Sequence, residues 1–335
     1  MTLERERIIT AIKQTIGADI VGLLEDDSVI EIMRNAHGAL CVERLGQAIE
    51  HSRINLSDRA TESFIRLLAS ESDELCNDKN PSLAVKLPHW HARFQGLLPP
   101  VVSAPSFSIR KHSKQVFELE RYVEKGELSP EHYDCLITAV NNRENILISG
   151  GTGSGKTTLA NALLQKMVTT GDRIITVEDT PELRLISPTG LQMFTKDSIG
   201  YESQQALKDI LRLRPDRIVL GELRDGACLN LIKAWNTGHA GGLTTIHANS
   251  CEMALERVES LIGEISLTIP RELIAQTINL IVQVERQGGK RLVSDIKKLT
   301  GLNHQSYLFC AIRGEHAQYK TDHRDHRDDN LLHLP

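Results

Sequence analysis

Between residues 146 and 164 the chain reads ILISGGTGSGKTTLANALL: an apolar burst, a run of small residues, then an amphipathic helical stretch. Gly150, four residues, then Gly155-Lys156-Thr157 is the spacing of a phosphate-binding loop, with the strand before and the helix after that such a loop needs. Gly150, Gly151, Gly153 and Gly155, with Thr152 and Ser154 among them, let backbone N–H groups close around phosphate oxygens, and the helix N-terminus adds a favourable dipole. Lys156 is expected to reach the β- and γ-phosphates. The Thr157 hydroxyl, followed by Thr158, is expected to ligate Mg²⁺.

Phosphate hydrolysis also needs carboxylates at the ends of neighbouring strands, to hold the metal and to position the attacking water. Glu178 and Asp179 end RIITVED, and Glu222 ends RIVLGE. Spacing leaves open which carboxylate activates water and which one, Glu178 included, holds Mg²⁺. Gly221 stands where many phosphate-loop proteins place a metal-linked Asp. In GHAGGLTTIHANS, His239 lies in a Gly-rich turn and His247 follows a Thr-rich strand, where it would sit near a γ-phosphate.

Positioning these groups is a task for short β-branched runs alternating with helices from Asn145 onward: NILIS, a helix at 156–169, RIITVED, a helix around 203–212, RIVLGE, a helix at 225–237, LTTIH and a helix at 251–262. That alternation predicts a mostly parallel α/β sheet. NLIVQVERQGGKRLVSDI, with Gly288-Gly289 between two strand-like runs, predicts an antiparallel hairpin at its end. Upstream, residues 5–24 carry a helical apolar stripe, SVIEIMRNAHGALCVERLG reads as a hairpin, and ATESFIRLLASES as a second helix. The Pro-rich stretch 96–111 must be extended. The expected organisation is a small α+β domain over 1–115, a connector over 116–143, a phosphate-loop domain over 144–313 and a disordered polar tail over 314–335.

The length of 335 residues fits two domains, and 40% apolar with 25% charged residues fits a globular protein with a sizeable core. A net charge of −5 gives no global field towards nucleic acid. Cys41, Cys76, Cys135, Cys228, Cys251 and Cys310 are scattered with no CxxC pair, which argues for reduced thiols rather than a zinc site or a disulfide framework. The N-terminus lacks the apolar core of a secretory signal, and no apolar run is long enough to span a membrane.

Together GGTGSGKTT (150–158), ITVEDTPEL (175–183), LRLRPDRIVLGELRD (211–225) and GHAGGLTTIHANS (238–250) resemble, in order, the P-loop, Asp box, atypical Walker B and His box of the secretion ATPase superfamily, which serves type II and type IV secretion, type IV pili and conjugation. VIEIMRNAHGALCVER (29–44) and RFQGLLPPVVSAPSFSIRK (93–111) are similar to its type IV secretion and conjugal-transfer branch. The resemblance implies a P-loop NTPase (RecA-like) C-terminal domain behind a smaller α+β N-terminal domain. It also implies ATP and Mg²⁺ as ligands, a homo-hexameric ring, and work with other secretion machinery at the cytoplasmic face of the inner membrane. It makes the missing Walker B Asp a family trait. It implies that Arg93 and Arg110 approach the phosphates from the first domain and that Arg212 and Arg224 flank the Walker B strand. Other readings are a pilus or type II assembly ATPase, from which the four-cysteine metal site usual in type II enzymes is missing here, and a nucleotide-gated scaffold or adaptor that hydrolyses little.

Overall fold

A computed structural model describes residues 3–44, 47–111, 118–196, 199–287 and 290–314. The polar tail, from residue 315, and the Gly288-Gly289 turn lie outside the described residues.

Six strands, β1 (Val29–Arg34), β2 (Ala39–Arg44), β3 (Glu50–Asn55), β4 (Ser82–Leu87), β5 (Ala92–Leu97) and β6 (Ser106–Lys111), form an antiparallel sheet in the order β3-β2-β1-β6-β5-β4. Helices α1 (Leu3–Glu25) and α2 (Asp58–Glu71) pack on it. The apolar stripe of α1 buries Ile12, Ile16, Ile20 and Leu24 against Phe64, Ile65 and Leu68 of α2 and Ile32, Phe94 and Phe107 of the sheet. Phe64 meets Phe94 and Phe107 edge-on, with ring centres 5.2 and 5.6 Å apart. The hairpin expected over 29–44 is β1–β2. The Pro-rich stretch 96–111 is extended only at its two ends, in β5 and β6, which run side by side; between them Pro99 and Pro100 form a turn and residues 101–104 bend, because the prolines cannot supply ladder N–H donors.

The second sheet has eight strands. After α3 (Leu119–Glu124) and α4 (Pro130–Asn141) come β7 (Ile146–Gly150), α5 (Lys156–Val168), β8 (Ile174–Glu178), β9 (Leu191–Phe194), α6 (Ser203–Ile210), β10 (Arg217–Leu220), α7 (Ala227–Asn236), β11 (Leu243–Ile246), α8 (Cys251–Gly263), α9 (Arg271–Thr277), β12 (Leu280–Gln287), β13 (Lys290–Asn303) and β14 (Ser306–Ala311). Their order is β14-β13-β12-β7-β11-β10-β8-β9, parallel from β12 to β9 and antiparallel at β13 and β14. This is the α/β architecture that the alternation predicts. All residues of β7, β8, β10 and β11 are buried, because helices cover both faces. Ile146 and Ile148 turn towards α3, α4 and α5, whereas Leu147 turns towards α6, α7, α8 and α9. The strand that feeds the phosphate loop therefore lies between β11 and β12. Its C-terminal end shares one rim with the ends of β8, β10 and β11, where ligands of open parallel sheets bind.

Candidate nucleotide-binding cleft

The loop between β7 and α5 takes its shape from contacts that only glycine permits. A Cβ on Gly150 would stand 2.3 Å from the Val284 carbonyl oxygen and 2.6 Å from Ser154 Oγ. Gly155 has φ +104°, and a Cβ there would meet Arg291 Cδ at 2.7 Å. Thr152, Gly153, Gly155, Lys156, Thr157 and Thr158 line a cavity of about 230 Å³, while Gly150, Gly151 and Ser154 shape the loop behind it. Lys156 Nζ donates to the carbonyls of Gly150 (2.9 Å) and Gly151 (3.0 Å) and to His247 Nδ1 (3.2 Å). Burial pushes its ammonium down to about 8, with the cationic Arg110 and Arg224 adding to the effect and Glu222 opposing it.

Glu222, at the end of β10, accepts from His247 Nε2 at 2.8 Å and pairs with Arg224 at 2.5 Å. His247 accepts a hydrogen bond from Lys156 at Nδ1 and donates one through Nε2, which assigns it the neutral form. Burial, then the Lys156 charge, lowers its pKa in agreement. Glu178 is placed differently. Its Oε1 accepts from the backbone N–H groups of Glu182 (3.1 Å) and Leu183 (2.8 Å). Its Oε2 is buried with no partner among the described residues. Burial raises the carboxyl to about 8, against those two hydrogen bonds. The parallel register Leu220↔Val177 sets Glu178 beside Gly221, whose absent Cβ would stand 3.1 Å from Glu178 Cγ. The side chain of Glu178 occupies the place that an Asp at 221 would need.

The opposite wall comes from the six-stranded sheet. Arg93 and Arg110 face each other across β5 and β6, an arrangement of like charges that favours an anion between them. Arg93 pairs with Asp179 (3.4 Å) and Glu182 (3.0 Å); Arg110 makes no hydrogen bond or ion pair among the described residues. Arg224 also pairs with Asp179, at 2.8 Å, and Lys86 Nζ donates to the Asp179 carbonyl. The fold thus brings Lys156, Thr157, Glu178, Glu222, His247, Arg93, Arg110 and Arg224 to one cavity. It does not bring Arg212, which is exposed just beyond α6 and outside the lining. Asp27, Asn161, Glu182 and Arg291 also line the cavity. Asn161 follows the loop on α5 and Glu182 lies within the segment 175–183, whereas Asp27 and Arg291 stand in no local motif and only the tertiary fold delivers them.

The raised carboxyl of Glu178 has a consequence for stability. A group whose folded pKa exceeds its unfolded value contributes stability that is complete below about 4.5 and is lost as pH rises towards 8. Glu178→Gln mimics the protonated form and loses nothing. The melting temperature of this variant is therefore expected to match wild type near pH 4.5 and to exceed it by roughly 4–8 °C at pH 8. A difference that stays constant over that range in thermal melts would show that Glu178 is ionised in the folded chain.

The family model described as "Type II/IV secretion system protein" matches residues 27–308. The chain is similar to the conjugal transfer protein TrbB of Rhizobium radiobacter, 39% identical over 303 residues that cover 90% of this chain and 93% of that protein. It is also similar to the type IV secretion system protein VirB11 of Bartonella quintana, 34% identical over 83% of this chain and 90% of that one. Among solved structures, the ATPase DotB of Legionella pneumophila matches its fold with a TM-score of 0.61 at 17% identity, over 82% of this chain and 77% of the other.

Proposed function

Because this chain belongs to the type II/IV secretion system protein family, we propose that it is an ATPase that powers conjugative transfer or type IV secretion, with hydrolysis in the cleft between its two sheets. One observation carries this reading. The phosphate loop with Glu222 and His247 forms one wall of a cavity whose other wall is the arginine pair of the first sheet.

The donor set fits a nucleotide with Mg²⁺. Glu178 Oε2 is buried without a partner among the described residues, and the Thr157 hydroxyl lines the same space. Thr157 and Glu178 would hold the metal, which neutralises phosphate charge when bound. Loop N–H groups and Lys156 bind the phosphates, for which Lys156 leaves the Gly150 and Gly151 carbonyls. Glu222 faces the cavity and is oriented by His247 and Arg224. It is the base that accepts a proton as water adds to the γ-phosphorus and the bond to the bridging oxygen breaks, giving ADP and phosphate. Arg93 and Arg110 stabilise the charge on the transferring group from the facing sheet.

In this reading residues 1–115 and 144–313 are the two domains, and phosphate loss changes the pull between them through Arg93, Asp179 and Arg224. The working form is a homo-hexameric ring, in which Arg212, outside the cavity, acts across a boundary between copies. The ring works at the cytoplasmic face of the inner membrane, held there by other secretion proteins; no helix among the described residues is long and apolar enough to cross a membrane.

Anything that binds only the folded chain raises its melting temperature by mass action. Saturating MgADP is expected to stabilise wild type by several degrees and the double variant R93A/R110A by clearly less. Equal gains in scanning fluorimetry would remove the two arginines from the nucleotide site.

A further inference from the structure

Arg291 lies outside all the motifs read above. It is the second residue of β13, and it pairs in register with Arg286 of β12. The hairpin brings it over the phosphate loop. A Cβ on Gly155 would stand 2.7 Å from Arg291 Cδ, 3.4 Å from Cγ and 3.5 Å from Nε, so the aliphatic stem lies across Gly155 and the guanidinium begins there. The same side chain lines the cavity with Gly153, Lys156 and Thr158. The hairpin is held on both sides: Arg286 pairs with Glu43 of the first sheet at 3.3 Å, and the Val293 N–H donates to the Glu127 carbonyl at 2.9 Å.

The guanidinium itself makes no hydrogen bond or ion pair among the described residues, although the half-buried Glu127 is close enough to feel its charge. Five N–H donors are therefore delivered on a pinned stem to a loop whose backbone cradles the α- and β-phosphates, and no described residue takes them up. Arginine's planar fork matches two phosphate oxygens at once. The positive φ of Gly155 and the stem above it leave that position no room for a side chain.

We infer that Arg291 is a nucleotide-binding residue that clamps the α/β-diphosphate from the hairpin side, opposite Lys156. The inference rests on the phosphate-loop reading and deepens it. A clamp on the α- and β-phosphates touches groups common to ATP and ADP, so it serves both nucleotides. Held to the α-phosphate and the non-bridging β-oxygens, away from the bond that breaks, it contributes chiefly affinity.

The test is titration of the full chain with the fluorescent nucleotide mant-ADP, alongside steady-state hydrolysis of ATP. R291M keeps the stem over Gly155 and removes the charge. It is expected to weaken mant-ADP binding roughly 10- to 100-fold and to raise KM for ATP by a similar factor, with kcat within about threefold of wild type. R291K keeps a charge without the fork and should fall between the two. A stem that only packs would give R291M the affinity of wild type, and that result overturns the inference while leaving the phosphate loop in place. A fall in kcat with unchanged KM overturns it too. Absence of mant-ADP binding to the wild-type chain would overturn the phosphate-loop reading and this inference with it.

Discussion

Replacing Lys156 by Ala is expected to abolish ATP turnover, a fall of at least about 10³-fold, and to weaken ATP binding in a chain that still folds. The ammonium is buried among loop carbonyls, and its proton affinity is pushed down to about 8 by that burial. Holding the charge there disfavours the folded state below about pH 8, and triphosphate oxygens would relieve that cost when bound. Removal of the side chain takes away both the burden and the ligand contact. The melting temperature should therefore stay within a few degrees of wild type, or rise, while phosphate release disappears. His247 loses its donor in the same variant and keeps its bond to Glu222. Turnover within about tenfold of wild type in a phosphate-release assay would place hydrolysis at another site.

Glu222→Gln should separate binding from chemistry. A glutamine retains an acceptor for His247 Nε2 and fills the same volume, but it cannot take the proton of the attacking water. Loss of a positioned general base costs roughly 10²–10⁴-fold in rate. ATP affinity should change little, because Lys156 and the loop remain. Nucleotide recovered from the variant after incubation with ATP should be mostly ATP, and from wild type mostly ADP. If the Glu222→Gln variant hydrolyses at the wild-type rate, Glu178 becomes the base instead, which its two backbone hydrogen bonds and buried Oε2 make the harder role.

Local spacing made the phosphate loop legible, since Gly150, Gly155, Lys156 and Thr157 lie within one strand-turn-helix unit. The carboxylates and His247 were legible as strand ends for the same reason. What spacing could not show is how strands line up. The sequence places a Gly at 221 where an Asp is common, and only the register of β8 against β10 reveals that Glu178 fills the space above it. Arg93 and Arg110 rested on family likeness. Their facing positions on β5 and β6, and the hold of Asp179 on Arg93 and Arg224, come from two sheets meeting.

Two edge strands were hidden for different reasons. EHSRIN (β3), at an edge of the first sheet, has one apolar residue and alternating exposure, whereas SYLFCA (β14), at an edge of the second sheet, packs Tyr307 and Phe309 on the core but exposes Leu308 between them, which blurs its alternation. Charged or exposed edges are how sheets avoid pairing with strangers, and they hide the strand from a reading by hydrophobic pattern. The stretch 116–143, read as a connector, contributes Leu119, Tyr122, Leu128, Leu136 and Val140 to the same core as β7 and α5. Arg291 carried no local clue at all, because a long crossover and a hairpin separate it from the loop it covers.

The central claim is hydrolysis, as opposed to nucleotide-gated scaffolding. Mixing wild-type chain in excess with γ-labelled ATP and Mg²⁺, quenching at intervals and separating labelled phosphate from ATP reads it in a single turnover. Bound ATP is expected to convert fully to ADP and labelled phosphate, and the conversion to be lost in both Lys156→Ala and Glu222→Gln. ATP that binds wild type and stays intact would contradict it.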